Sequence, residues 1–330
     1  MSLLVGFVFG LHLLCVNVAA AGPLVAAVLD GCEGRGNALA GQAGRYLAWW
    51  ATLLLLPGGL LGMAVGALLW NPTYYAVLQR LPSKIYFGVW EVVFSLVLMA
   101  IQVAWWKARP NALAWERGAR IFVAILASTN LLYHFPVLFG VIESITTGPT
   151  PLGDEINSAT FRTFLAEPQL LARVAHFLLA AIANCGIMLL GLALRMQRQK
   201  ANSEAAQRVA TWGGRLALIP TLLQIPTGLW LTATLPAFLQ GDVTGGDAIT
   251  CLLFLVSLAA AFGLLQVLAA ISIGDVERPK LIRAMILMVV IVLLMSGVLQ
   301  RLRAKSLMIN TPAEVAAFAP SSTFIAPTHH

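Results

Sequence analysis

Charge is scarce in this sequence. Asp, Glu, Lys and Arg make up 11% of its 330 residues, against about 25% in a soluble globular chain. With 59% hydrophobic residues, that deficit excludes a water-soluble domain and identifies an integral membrane protein. Cysteine is also sparse. Cys15, Cys32, Cys185 and Cys251 form no C-x-x-C pair and no C-x-x-C-H haem-attachment motif. Three lie in apolar runs, where cysteine acts as a small hydrophobe, so neither a disulfide framework nor a zinc site is expected. No Lys or Arg precedes Arg35. The "VAAAG" stretch therefore lacks the positive flank of a signal peptide, and the first apolar run reads as a retained helix. The alternating ten-residue pattern of a membrane barrel is missing, as is any repeat of 20–50 residues.

What the sequence has is long apolar runs. A helix needs about 20 apolar residues to cross the hydrocarbon core. Segments 3–29, 45–70, 84–106, 118–144, 168–195, 211–236, 248–272 and 281–301 qualify. The expected fold class is an all-α integral membrane protein, a bundle of about eight transmembrane helices over residues 1–305. An extended tail over 306–330 is expected to follow, ending in the solvated His329 and His330. Lys and Arg set the orientation. Residues 35–45, 107–120, 195–215 and 278–283 carry 14 of the 21 basic residues, which places those loops in the cytoplasm and both termini outside. The run "RLRAKS" after the last span opposes this assignment. The net charge of +7 is read as a topology signal, and nucleic acid is not expected as a partner.

Few ionisable groups fall inside the spans: His12, Glu91, His134 and His176. Such groups are costly in hydrocarbon and mark function. Counted from the outer helix ends at 1.5 Å per residue, all four lie about 10–15 Å below the outer surface. One shared object explains one shared depth. A zinc or di-iron centre wants several ligands, often paired on one helix, whereas here each helix gives one. Haem needs one or two axial ligands and room beside them, which "HLLCVNVAAAGP" and "HFLLAAIANCG" provide with Ala and Gly. Haem b is the preferred reading. A proton relay in a transporter or channel and a cofactor-free polar bundle are the alternatives. Arg173, three residues before His176, suits a haem propionate or a snorkelling interface position. Pro136, two residues after His134, either aims that imidazole or only relieves packing.

At these residues the chain resembles subunit I of the cytochrome bd-type quinol oxidases. "FGLHLLCVNVAAAGP" is similar to that family's first helix and its haem-ligating histidine, here His12. "VWEVVF" is similar to its third helix, with Glu91 at the glutamate beside the high-spin haems. "FLAEPQLLARVAHFLLAAIANCG" is similar to the approach to its fifth helix, with His176 at the low-spin haem b ligand. The resemblance implies a chain that starts outside, in a bacterial inner membrane. It also implies haem near the outer face and quinol as electron donor. The family's long loop after helix six, its G-R-Q-P-W motif, the methionine of the low-spin haem and a later glutamate ligand have no counterpart. His134 is an addition and a candidate second ligand opposite His176. Two imidazoles make a low-spin haem with no open oxygen site.

The function read from this is a membrane electron-transfer subunit, an oxidoreductase component of a larger respiratory-type complex. It would hold one or two b haems, with His12, His134 and His176 as metal ligands. It would pass electrons between quinol and an outer redox subunit such as a c-type cytochrome. A reduced bd-like terminal oxidase and a purely structural subunit are further alternatives.

Overall fold

The computed structural model of the chain describes residues 2–110, 112–147, 155–199 and 203–310. Eight of its helices are long and apolar enough to cross a membrane. These are α1 (Ser2–Glu33), α2 (Ala38–Leu68), α4 (Pro82–Ala108), α5 (Ala114–Thr147), α7 (Pro168–Arg198), α8 (Ser203–Ala233), α10 (Ala248–Ser272) and α11 (Arg278–Asn310). Between them lie three short helices: α3 (Pro72–Gln79), α6 (Ser158–Phe164) and α9 (Ala237–Gly241), the last followed by a single π turn over Asp242–Gly246.

Four spans, α1, α4, α5 and α11, outrun the expected apolar segments at both ends, while α2 and α8 start seven and eight residues earlier and stop two and three residues short. The hydrocarbon length limits the apolar run, but the helix continues into the interface, where water satisfies its terminal groups. α11 runs to Asn310, so residues 306–310 are helical and do not belong to an extended tail. The rest of that expected tail, with His329 and His330, lies outside the described residues.

Local chemistry sets the helix starts. Asn37, Asn71, Asn157 and Asp247 accept backbone N–H groups of the first turns of α2, α3, α6 and α10, as N-cap side chains do. Pro72, Pro82 and Pro168 occupy the first turns of α3, α4 and α7, where a missing N–H costs nothing. Gly245, at φ 132°, takes the left-handed region that ends the π turn.

The spans alternate in direction, so both ends of the described chain lie at one end of the bundle. The three short helices lie at that same amino-terminal end. The opposite end has only short connections. Two four-helix rings result, one closed by contacts among α1, α2, α4 and α5, the other among α7, α8, α10 and α11. They meet where α1 and α5 pack on α7 and α11. Within the second ring α7 and α8 touch backbone to backbone. A Cβ on Gly186 would lie 2.6 Å from Ala217 N and from Gly213 O, the close approach that small residues permit between membrane helices.

Ion pairs tie both ends. At the opposite end Arg120 donates two hydrogen bonds of 2.7 Å to the carboxylate of Asp30. Both side chains are 1% exposed. Arg117 stands 3.5 Å from the same carboxylate, and the Arg120 guanidinium lies over the Trp106 ring. At the amino-terminal end each cation of "RLRAKS" has an acid: Arg301 pairs with Asp247, Arg303 with Glu143 and Lys305 with Asp242. The run that opposed the charge-derived orientation is thus locally neutralised. Hydrogen bonds from Thr250 and Arg301 hold the Asp247 carboxyl down to about 2.

Candidate functional site

The depth of the buried histidines follows from contacts between neighbouring helices. Ser128 of α5 donates to the Ala20 carbonyl of α1. From that crossing His12 lies eight residues toward the amino-terminal end and His134 six, or about 12 Å and about 9 Å. Gly140 of α5 faces Leu170 of α7. His134 and His176 each lie six residues deeper than that second crossing, about 9 Å. The side chains therefore share a layer, and they occupy three different seams within it.

His12 sits between α1 and α2. Its Nδ1 is 2.8 Å from the Gly58 carbonyl. One turn on, Gly62 leaves room for the ring, since a Cβ there would meet His12 Cε1 at 2.8 Å. Phe9 stacks on the same imidazole. A carbonyl can only accept, so the Nδ1 contact fixes the proton on that nitrogen and leaves the Nε2 lone pair free. Metal-ligating histidines are held in the same way, the nitrogen away from the metal donating to a carbonyl.

Glu91 and His134 meet between α4 and α5, with His134 Nδ1 2.7 Å from Glu91 Oε1. Asn130 sets the register. Its Nδ2 donates to the Glu91 carbonyl at 2.9 Å and to Ser95 Oγ at 2.8 Å, which brings His134, one turn later on α5, level with the carboxylate. Glu91 belongs to the α4–α5 seam, because α4 packs directly on α5, and not to the α1–α2 seam of His12. The pair is not sealed, with His134 45% and Glu91 20% exposed.

His176 sits between α7 and α8. Its Nε2 is 3.4 Å from the Gln224 side-chain nitrogen, a long contact. Its Nδ1 is buried with no partner among the described residues. Gly228, one turn beyond Gln224, lies beside that nitrogen, where an added Cβ would be 4.0 Å away. Arg173 Nε, one turn toward the amino-terminal end, is likewise buried and unpartnered. Gln224 and Gly228 are site residues the sequence reading missed. The signal was a lone amide inside the apolar stretch "LLQIPTG".

Packing loosens at this layer. α1 is fully buried over Asn17–Pro23 but only half-buried over Leu11–Val16. On α7, Ala183–Ile187 are buried and Arg173–Ala180 half-buried. The described residues hold no group of three or more His, Cys, Asp or Glu able to bind a metal ion. His12, His134 and His176 are thus single imidazoles at one depth and do not converge on one ion. Loose packing, a carbonyl-anchored imidazole, an unpartnered buried ring nitrogen and two glycines against the rings fit a bulky group held by one or two axial nitrogens.

No family model matches the sequence, and no curated protein matches it. Comparison with solved structures finds a chain of the bd oxidase from Geobacillus thermodenitrificans, at 11% identity and a TM-score of 0.74. The match covers 95% of this chain and 91% of that one, so the two are close in length. The chain is an all-helical, multi-pass membrane protein with the fold of a bd oxidase chain.

Proposed function

We propose that the chain is a haem b-binding electron-transfer subunit of a membrane respiratory-type complex, with the amino-terminal end of the bundle facing outside. The observation that carries this reading is the His176 Nδ1, a buried ring nitrogen with no partner among the described residues, on a stretch of α7 that its neighbours leave half-buried. An unmet buried polar group costs about 1–3 kcal/mol, which ligation removes. The fold shared with a bd oxidase chain supports the respiratory setting.

His176 and His12 would hold one or two b haems, with Gly62 and Gly228 leaving room beside the rings. When bound, haem supplies reversible one-electron chemistry, and the protein supplies ligands, orientation and burial. The rest follows from this chain's own groups. The Gly58 carbonyl keeps the His12 proton on Nδ1. The Glu91 carboxylate orients His134 and leaves its Nε2 free, as a ligand nitrogen or as the far end of a proton-transfer pair. Arg173 has the donor that a buried carboxylate, such as a haem propionate, requires. Quinol in the membrane is the proposed donor, and an outer redox subunit such as a c-type cytochrome the acceptor.

Glu91 provides a specific test. Glu91→Gln keeps the size of the side chain and removes its charge. It is expected to leave the His176-dependent spectrum unchanged and to alter the pH dependence of quinol-linked electron transfer. Wild-type pH profiles throughout would make Glu91 a packing residue.

A second reading, a proton-coupled transporter or channel, draws on the same Glu91–His134 pair, since a carboxylate hydrogen-bonded to an imidazole inside a membrane is a proton-relay unit. Optical absorbance separates the two, because a transporter of that kind has no Soret band.

A further inference from the structure

Two arginines at the start of α11 have no acid to pair with. Arg278 and Arg283 are exposed and make no ion pair among the described residues. The nearby acids are already engaged, because Asp275 and Glu277 both pair with Lys280. With Pro279, Ile282, Ile286 and Leu287, both arginines line an open, shallow groove of about 470 Å³ along the exposed face of α11.

Helix geometry brings the two cations to one level. Arg283 starts five residues, about 7.5 Å, deeper along α11 than Arg278. Helical side chains lean toward the helix N-terminus, and α11 begins at this end of the bundle. The Arg283 side chain therefore leans back toward the level of Arg278, the two arginines flanking the α11 face that carries Ile282 and Ile286, with Leu287 deeper along the same groove. Ile286 is 57% exposed.

Uncompensated cations at the helix end with an apolar groove beside them complement an amphiphile with an anionic head. A guanidinium binds phosphate oxygens through two parallel hydrogen bonds. Free phosphate would make no use of the apolar groove, and a zwitterionic lipid brings its own cation to the arginines. The geometry points to a binding site for an anionic phospholipid, with Arg278 and Arg283 on the headgroup phosphate and Ile282, Ile286 and Leu287 along an acyl chain. Basic pockets at helix ends recognise such headgroups. The assignment is independent of the haem reading.

The test uses the purified full chain in detergent, with phosphatidylglycerol and phosphatidylcholine titrated separately and bound lipid counted by native mass spectrometry. Wild type is expected to retain phosphatidylglycerol over phosphatidylcholine by on the order of tenfold, from two arginines near the headgroup. Arg278→Gln with Arg283→Gln should abolish that preference. Arg195→Gln with Arg198→Gln, which removes equal charge from α7 at the same end, should keep it. Ile286→Trp, which fills the groove without touching charge, should weaken retention of the lipid, and millimolar inorganic phosphate should not displace it. Equal losses in the two charge-deleted variants would reduce the effect to surface charge and overturn the site. So would a wild type without preference, displacement by phosphate, or an Ile286→Trp variant that retains lipid like wild type.

Discussion

Replacing His176 by alanine is expected to remove the low-spin haem b signal from the purified protein while the bundle stays folded. The loss should be roughly tenfold or more in occupancy, since even the outer partners of a metal-bound histidine are worth about 10–100-fold. His176 is only half-buried, and its one described contact is the long one to Gln224, so alanine removes little packing. A loss of colour with an unchanged thermal midpoint assigns the residue to the cofactor. His134→Ala is the companion variant. His134 lies in the α4–α5 seam against Glu91, apart from His176, so its loss is expected to leave the His176-dependent signal in place. Should both variants keep an unchanged six-coordinate spectrum, the His12 seam must hold the cofactor and the assignment of His176 fails.

The largest stability effect is expected at Asp30 and Arg120. The pair joins α1 to α5 across 90 residues of sequence, with both side chains 1% exposed. Removing one partner strands a buried charge, which costs about 3–5 kcal/mol. Asp30→Ala leaves two guanidiniums, Arg117 and Arg120, facing no acid. Arg120→Ala exposes the carboxylate and uncovers Trp106. Replacing both by apolar residues, Asp30→Val with Arg120→Met, should recover most of the loss, because the desolvation of both charges disappears with them and Arg117, 22% exposed, can turn to water. Reversible unfolding in mixed micelles reads these differences. Single variants within about 1 kcal/mol of wild type would show the pair to be hydrated in the membrane-embedded protein.

The eight spans were legible because hydrocarbon thickness imposes a length on apolar runs, and that constraint acts on the sequence directly. The short helices were not, although "NPTYYAVLQ" and "NSATFRTF" each begin with the asparagine that caps α3 or α6. They join spans at the amino-terminal end of the bundle, and no long apolar run announces them. The division into two four-helix rings depends on which helices touch, which no local pattern carries. At the site, the depth of His12, Glu91, His134 and His176 could be counted from helix ends, because rise per residue is fixed. Their partners could not. The Gly58 carbonyl, the Glu91–His134 pair and Gln224 are set by helix rotation and by side-chain clamps such as Asn130. For the same reason Arg120, read as a topology signal, turned out to be a buried ion-pair partner.

The central claim is that these isolated imidazoles hold haem. The measurement that tests it most directly is a reduced-minus-oxidised spectrum of the purified chain with pyridine haemochrome quantification. One or two b haems per chain, at least one lost in His176→Ala, is the predicted result. A protein that is colourless after expression with ample haem supply would contradict the account.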